Sequence, residues 1–133
     1  MVKHYNGFKF ECIDLMNLLL ENVSFNSKSP TNYFYLGNVI KYLCRCKFKD
    51  NEIEDLQKAI EYLNYMQKYN KTTLIRCGFK STRDLTKFGN FLFKINAVDN
   101  RIYEIFHSFS TSTTYITDLQ NQIQRLIDEK KSK

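Results

Sequence analysis

Two runs constrain this chain more than anything else in it: Asn38-Val39-Ile40-Lys41-Tyr42-Leu43-Cys44-Arg45 and Asp55-Leu56-Gln57-Lys58-Ala59-Ile60-Glu61-Tyr62-Leu63. In both, apolar residues recur at helical spacing, and polar residues at i, i+3 and i+7 share the opposite face. Asn38, Lys41 and Arg45 line one such face; Asp55, Lys58 and Tyr62 line the other. Two helices presenting these stripes to a common space could bind a small anionic ligand. Two merely solvated helix faces would carry the same pattern.

One proline and four glycines among 133 residues leave little material for the tight turns of an all-β fold. The length fits a single domain with one core. The expected architecture is all-α, a bundle of about five helices without a substantial sheet. A front three-helix unit falls within residues 3–69, and a C-terminal helical hairpin spans 82–133.

The first helix is expected over about 10–21, with Phe10, Ile13, Leu15 or Met16, and Leu19/Leu20 as its buried stripe. Residues 24–29 read as a loop. Ser29 can cap the second helix, and Pro30 suits its first position. Gly37, inside that helix, signals close approach of another backbone or a ligand. After a short basic turn, Asn51 and Glu54 form a capping-box-like pair at the head of the third helix, which runs to about Tyr69.

Residues 70–81 read as a second loop. Its Gly78-Phe79-Lys80-Ser81 echoes the end of a phosphate-binding loop, but the earlier glycine is missing and no strand is expected before it. Ser81 with Asp84 reads instead as a helix start. Apolar residues from Leu85 to Phe109 describe a long amphipathic helix broken near 96–100, followed by a hydroxyl-rich turn over 108–114. The last helix uses Ile116, Leu119, Ile123 and Leu126/Ile127, a spacing suited to packing within the chain or in a homodimer, and leads to a basic, frayed tail.

The net charge of +6 favours anionic partners. Basic residues are spread along the sequence, so nucleic acid is not expected as the main partner. No apolar h-region opens the chain, and no stretch approaches the roughly 18 apolar residues of a membrane span. A cytoplasmic protein without a membrane partner is expected. Cys12, Cys44, Cys46 and Cys77 are then reduced structural thiols, since Cys44-Arg-Cys46 lacks a second pair at zinc spacing.

His4-Tyr5, Glu11-x-Ile13-Asp14, Gly37-Asn38-Val39-Ile40-Lys41-Tyr42-Leu43-x-Arg45 and Asp55-Leu56-x-Lys58-Ala59-x-x-Tyr62-Leu63 occur in that order around a lysine-rich turn. Together, over residues 3–69, they resemble the small phage-encoded nucleotide kinase-like family, which includes the nucleoside monophosphate kinase of T-odd phages, an enzyme without a P-loop. The resemblance implies a nucleoside monophosphate as ligand, a nucleoside triphosphate as phosphoryl donor, and a home in the host cytoplasm. Residues 70–133 have no counterpart in it.

Phosphoryl transfer asks a protein mainly for positive charge and in-line positioning. Lys41, Arg45 and Lys58 are the candidate catalytic cations, Arg45 through a bidentate fork and Lys41 as a mobile point charge. Glu11 and Asp14, at i and i+3, could hold Mg²⁺, or could pair with Lys41 or Arg45. His4, Tyr5, Asn38, Asp55 and Tyr62 are candidate substrate contacts. The acidic pairs Glu11/Asp14 and Glu52/Asp55 also resemble, less closely, those of all-α nucleotide pyrophosphohydrolases of the MazG type. A third reading is non-enzymatic: a phage protein that binds and inhibits a host protein through its C-terminal hairpin.

Overall fold

The computed structural model describes residues 7–48 and 50–133. Six helices and three short strands follow in the order α1 (Cys12–Asn22), β1 (Val23–Phe25), α2 (Thr31–Arg45), α3 (Glu52–Asn70), β2 (Leu74–Cys77), α4 (Thr82–Val98), α5 (Asn100–His107), β3 (Thr113–Tyr115) and α6 (Ile116–Lys131). The molecule is mostly helical, as expected. It is not strictly all-α, and the described residues form six α-helices where about five were expected.

The sheet forms where three loops or turns are expected. β2 is central and pairs antiparallel with β1 (Phe25 opposite Ile75) and with β3 (Ile75 opposite Thr114). Three or four residues are too few for a period-two pattern to stand out, yet the alternation is present. Ile75 and Cys77 point inward while Arg76 is exposed, and Thr114 is buried between half-buried Thr113 and exposed Tyr115.

The front of the molecule is built on the α2–α3 hairpin, an antiparallel pair as its short connection implies. Leu36, Val39, Ile40 and Leu43 of α2 meet Leu56, Ala59, Leu63 and Met66 of α3 in the core. Each large aliphatic side chain so buried is worth about 1.5–3 kcal/mol. Gly37 closes against α1, where an added Cβ would lie 3.5 Å from Met16 Sδ and 3.6 Å from a Leu20 methyl. Both are ordinary van der Waals distances, so the neighbours at Gly37 are side chains of α1 that leave room for a methyl group. On α1 the buried stripe is Cys12, Leu15, Leu18 and Leu19; Leu15 and Leu19 are buried as expected, whereas Ile13 is exposed.

Buried polar groups fasten the open end of the hairpin. Asn32, fully buried, accepts at its side-chain oxygen from the Asn70 amide at 2.8 Å and from the Thr72 hydroxyl at 2.9 Å. Ser29 does not cap α2 through its side chain; its hydroxyl donates to Asn70 Oδ1 at 3.0 Å. Asn51 precedes α3 without a side-chain capping bond, and Glu54 lies beside Lys58 instead. Ser81 does cap α4, accepting from the Asp84 N–H, and Asp99 breaks the long helix and caps α5 at the Ile102 N–H.

α6 lays Ile116, Leu119, Ile123, Leu126 and Ile127 inside the chain, largely on α3. α6 does not stand apart from the front helices. α6 completes the core of the front helices, and Arg101 of α5 is ion-paired to Glu129 of α6. Its end is not a loose tail either: Lys130 reaches Glu52 at 2.8 Å, and Glu52 also meets Lys47, which in turn meets Asp99 at 3.1 Å. Among the described residues, no helix is long and apolar enough to cross a membrane.

Removing the Asn32 side chain strands the buried Thr72 hydroxyl and takes one of the partners of half-buried Asn70. Asn32→Ala should lower unfolding free energy by about 2 kcal/mol in urea titration, whereas Thr31→Ala, at the exposed edge of the same network, should cost well under half of that.

Burial pushes the Asp99 carboxyl up, but the Ile102 N–H and the Lys47 ammonium outweigh it and hold it below the ordinary 3.8. A depressed carboxyl contributes stability that is complete above 3.8 and is lost as pH falls through the lower folded value. Asp99→Ala should cost about 1 kcal/mol at pH 7. Its gap from the parent protein should narrow below pH 3.8, as read by denaturation midpoints across pH.

Candidate functional site

The polar stripes of α2 and α3 face the same side of the hairpin. Lys41 Nζ lies 4.7 Å from the Tyr42 ring centroid, Lys58 Nζ 5.5 Å, and the Arg45 guanidinium carbon 5.6 Å. The three cations proposed from sequence thus surround one tyrosine, which the candidate residues did not include. Each contact of this kind is worth about 0.5–1 kcal/mol at an exposed site. Tyr62 lies nearly parallel to Tyr42, with centroids 6.1 Å apart and planes at 18°.

Asp55 is buried, 3 % exposed, one turn into α3, and accepts from Arg45 Nε at 3.2 Å. This bond ties the C-terminal end of α2 to the start of α3. The sequence expectation gave Arg45 a phosphate or a carboxylate of the first helix as partner, and gave Asp55 to substrate. The structure joins the two. Asp55 is a buried counter-ion whose role is to hold the arginine.

The remaining cations are held more loosely. Lys58 is 3.8 Å from Glu54, an exposed pair of little energetic weight. Lys41 makes no ion pair among the described residues. Asn38 lies on the same stripe, half-buried, and its amide donates back to the Phe34 carbonyl at 2.9 Å.

The proposed acidic residues do not gather at this face. Glu11 stands at the N-cap of α1, and its carbonyl accepts from the Asp14 N–H. Asp14 is exposed and lines a groove of about 480 Å³ between α1 and α4, with Glu21, Asp84, Lys87 and Lys94. Glu52 is occupied by Lys47 and Lys130. Among the described residues, no three His, Cys, Asp or Glu side chains come together as a metal cage. The donor set fits only a cation that brings most of its ligands with it. His4 and Tyr5 lie outside the described residues.

The four cysteines are buried free thiols. Burial, reinforced by Glu52 and Asp99 nearby, pushes the Cys46 thiol up to about 12, and burial alone takes Cys77 to about 11. Thiols so disfavoured as thiolates are poor nucleophiles at neutral pH. The phosphate-loop echo also resolves. A strand, β2, does precede Gly78, contrary to expectation, but the Lys80 N–H is taken by Asn22 Oδ1 and the Ser81 hydroxyl by the start of α4.

Sequence reasoning passed over a row of aromatic side chains beside the cations. Tyr62 is followed by Tyr65 and Tyr69, with centroids 5.5 and 5.6 Å apart in succession, and Tyr35 of α2 lies 5.8 Å from Tyr65. The signal was present as tyrosines at i, i+3 and i+7.

Residues 2–64, just under half of the chain, match a family described only as being of unknown function, DUF3310. That span takes in α1, α2 and most of α3, including every cation around Tyr42. No curated protein and no solved structure matches the chain.

Removing Arg45 leaves Asp55 buried without its partner. Arg45→Ala should therefore lower stability by about 2 kcal/mol, less than for a fully buried pair because the arginine is partly solvated. Arg45→Ala/Asp55→Asn should recover part of the loss in melting experiments. A double mutant no better than the single one would show that the pair does not hold the hairpin.

Proposed function

We propose that the α2–α3 face binds a nucleotide through its phosphates and transfers a phosphoryl group from a nucleoside triphosphate to a nucleoside monophosphate. One observation carries this reading: the convergence of Lys41, Arg45 and Lys58 on Tyr42. Arg45 and Lys58 each have a carboxylate beside them, Asp55 and Glu54, and Lys41 has no ion pair among the described residues, so the cluster keeps positive charge that an anion would meet. The resemblance of residues 3–69 to phage nucleotide kinases supports the same reading.

In this reaction a terminal oxygen of the monophosphate attacks the γ-phosphorus in line. The new P–O bond forms as the bond to the β–γ bridging oxygen breaks, and the electron pair leaves on the β-phosphate, giving two nucleoside diphosphates. The protein's part is charge and position. Lys41 follows the transferring group as a mobile point charge. Arg45, its plane set by Asp55, presents N–H donors in fixed directions, and Lys58 closes the other side of the ring. Tyr42 and Tyr62 offer ring faces to a base, with Asn38 at its edge. His4 and Tyr5 belong to the same proposal as base or ribose contacts. Magnesium would enter with the triphosphate, neutralising phosphate charge and bringing most of its ligands with it, because Asp14 faces α4, away from the three cations.

A second reading has its own observation. Leu85 and Phe93 of α4 are exposed, Phe93 by 78 %, with Gly89 open between them on one helix face. Such a patch suits docking of a partner protein.

The test is a screen of nucleoside monophosphates with ATP and magnesium, read by product separation, beside melting curves with each nucleotide. Lys41→Ala should leave the melting midpoint within the effect of an ordinary surface change, about 0.5 kcal/mol, while weakening nucleotide binding in a salt-sensitive way. Arg45→Lys keeps a cation for Asp55 and loses the planar fork, so turnover should fall at least tenfold with most stability retained. If no nucleotide raises the melting midpoint, the proposal fails and the partner-protein reading takes its place.

A further inference from the structure

The aromatic row extends well past the point where one nucleotide would be held. On α3, Lys58, Tyr62, Tyr65 and Tyr69 fall at i, i+4, i+7 and i+11 and share a face. Tyr35 flanks the row from α2, and exposed Phe34 edges onto Tyr62. Its far end is positive as well, with Lys68 Nζ lying 5.3 Å from the Tyr69 centroid. The Tyr65 hydroxyl is engaged with Glu61; Tyr69 is exposed, and Tyr62 and Tyr65 are half-buried. The face thus has cations at both ends and, between them, rings that meet edge to face at Tyr62 and Tyr65 (86°) and tilted at Tyr65 and Tyr69 (38°). From Lys58 to Lys68 the helix rises about 15 Å.

We infer that this row binds a short single strand of nucleic acid, its bases stacked on Tyr62, Tyr65 and Tyr69 and its phosphates held at the two cationic ends. The distance matches about four nucleotides at the 3.4 Å spacing of a stacked strand. Aromatic rings accept any base, so binding should be tolerant of sequence. The basic residues are scattered in sequence, but folding collects Lys41, Arg45 and Lys58 at one end. That is the charge pattern the linear sequence conceals. An apolar protein partner would be served poorly by a face whose ends both carry lysines. The inference shares its Tyr42 end with the nucleotide site and rests on the nucleotide reading for that end only.

Fluorescence anisotropy with labelled (dT)8 and (U)8 tests it, with thymidine monophosphate and inorganic polyphosphate as competitors. Both strands, or one of them, should bind at least tenfold more tightly than the monophosphate, and the comparison of the two assigns DNA or RNA. Affinity should fall with salt, with a logarithmic slope of about −2 for three phosphate contacts. Tyr65→Ala/Tyr69→Ala should weaken strand binding at least tenfold. The same variant should leave monophosphate binding and turnover unchanged, with its own melting curve confirming that it is folded. Equal strand affinity in the parent and the double variant overturns the inference. So does polyphosphate competing as well as the strand, or no strand binding at all. Strand binding lost with monophosphate turnover intact would leave the kinase reading standing, and strand binding without any monophosphate effect would do the reverse.

Discussion

The α2–α3 hairpin is held at both ends by buried polar contacts, and much else is arranged around that fact. At one end Asn32 gathers Asn70 and Thr72; at the other Asp55 receives Arg45. Apolar packing between the helices would tolerate some sliding, because one Leu or Ile fits a neighbouring hole nearly as well as its own. Hydrogen bonds to buried groups do not tolerate it, since a displaced partner leaves a desolvated atom. The latches therefore fix the register of α2 against α3. Register decides that Lys41, Arg45 and Lys58 meet at Tyr42 rather than pointing apart.

The same reasoning separates what was legible in the sequence from what was not. The helices were legible, because their periodicity runs over many residues and their breaks carry distinct chemistry, as at Ser81 and Asp99. The cation-bearing faces were legible for the same reason, and Lys41, Arg45 and Lys58 do come together. Arg45's partner on α3 was not, because i, i+3 spacing describes neighbours on one helix and says nothing about which carboxylate a second helix delivers. Asp55 shares a polar stripe with Lys58 and Tyr62 and was read from it as a substrate contact, whereas its carboxylate is buried against Arg45.

The sheet was hidden differently. Val23-Ser24-Phe25, Leu74-Ile75-Arg76-Cys77 and Thr113-Thr114-Tyr115 each hold a correct alternation, but each is shorter than the window in which alternation can be told from chance. Their β-branched and aromatic residues were the available clue. Asp14 is apart from the cations for a geometric reason: it faces α4, while they lie on the α2–α3 face.

The sheet has a bearing on how the chain acquires its shape. α2 and α3 are neighbours in sequence and can pair as soon as both exist. β2 must recruit one partner from before that hairpin, Val23 meeting Cys77, and another from far beyond it, Leu74 meeting Tyr115. Closing such loops delays contacts that local helix pairing does not have to wait for. During synthesis the hairpin can assemble early, while β2 stands with an unpaired edge until Thr113–Tyr115 arrives, and α6, directly behind that strand, arrives last to cover α3. A nascent chain halted before residue 113 would carry the cationic face with its supporting side still bare.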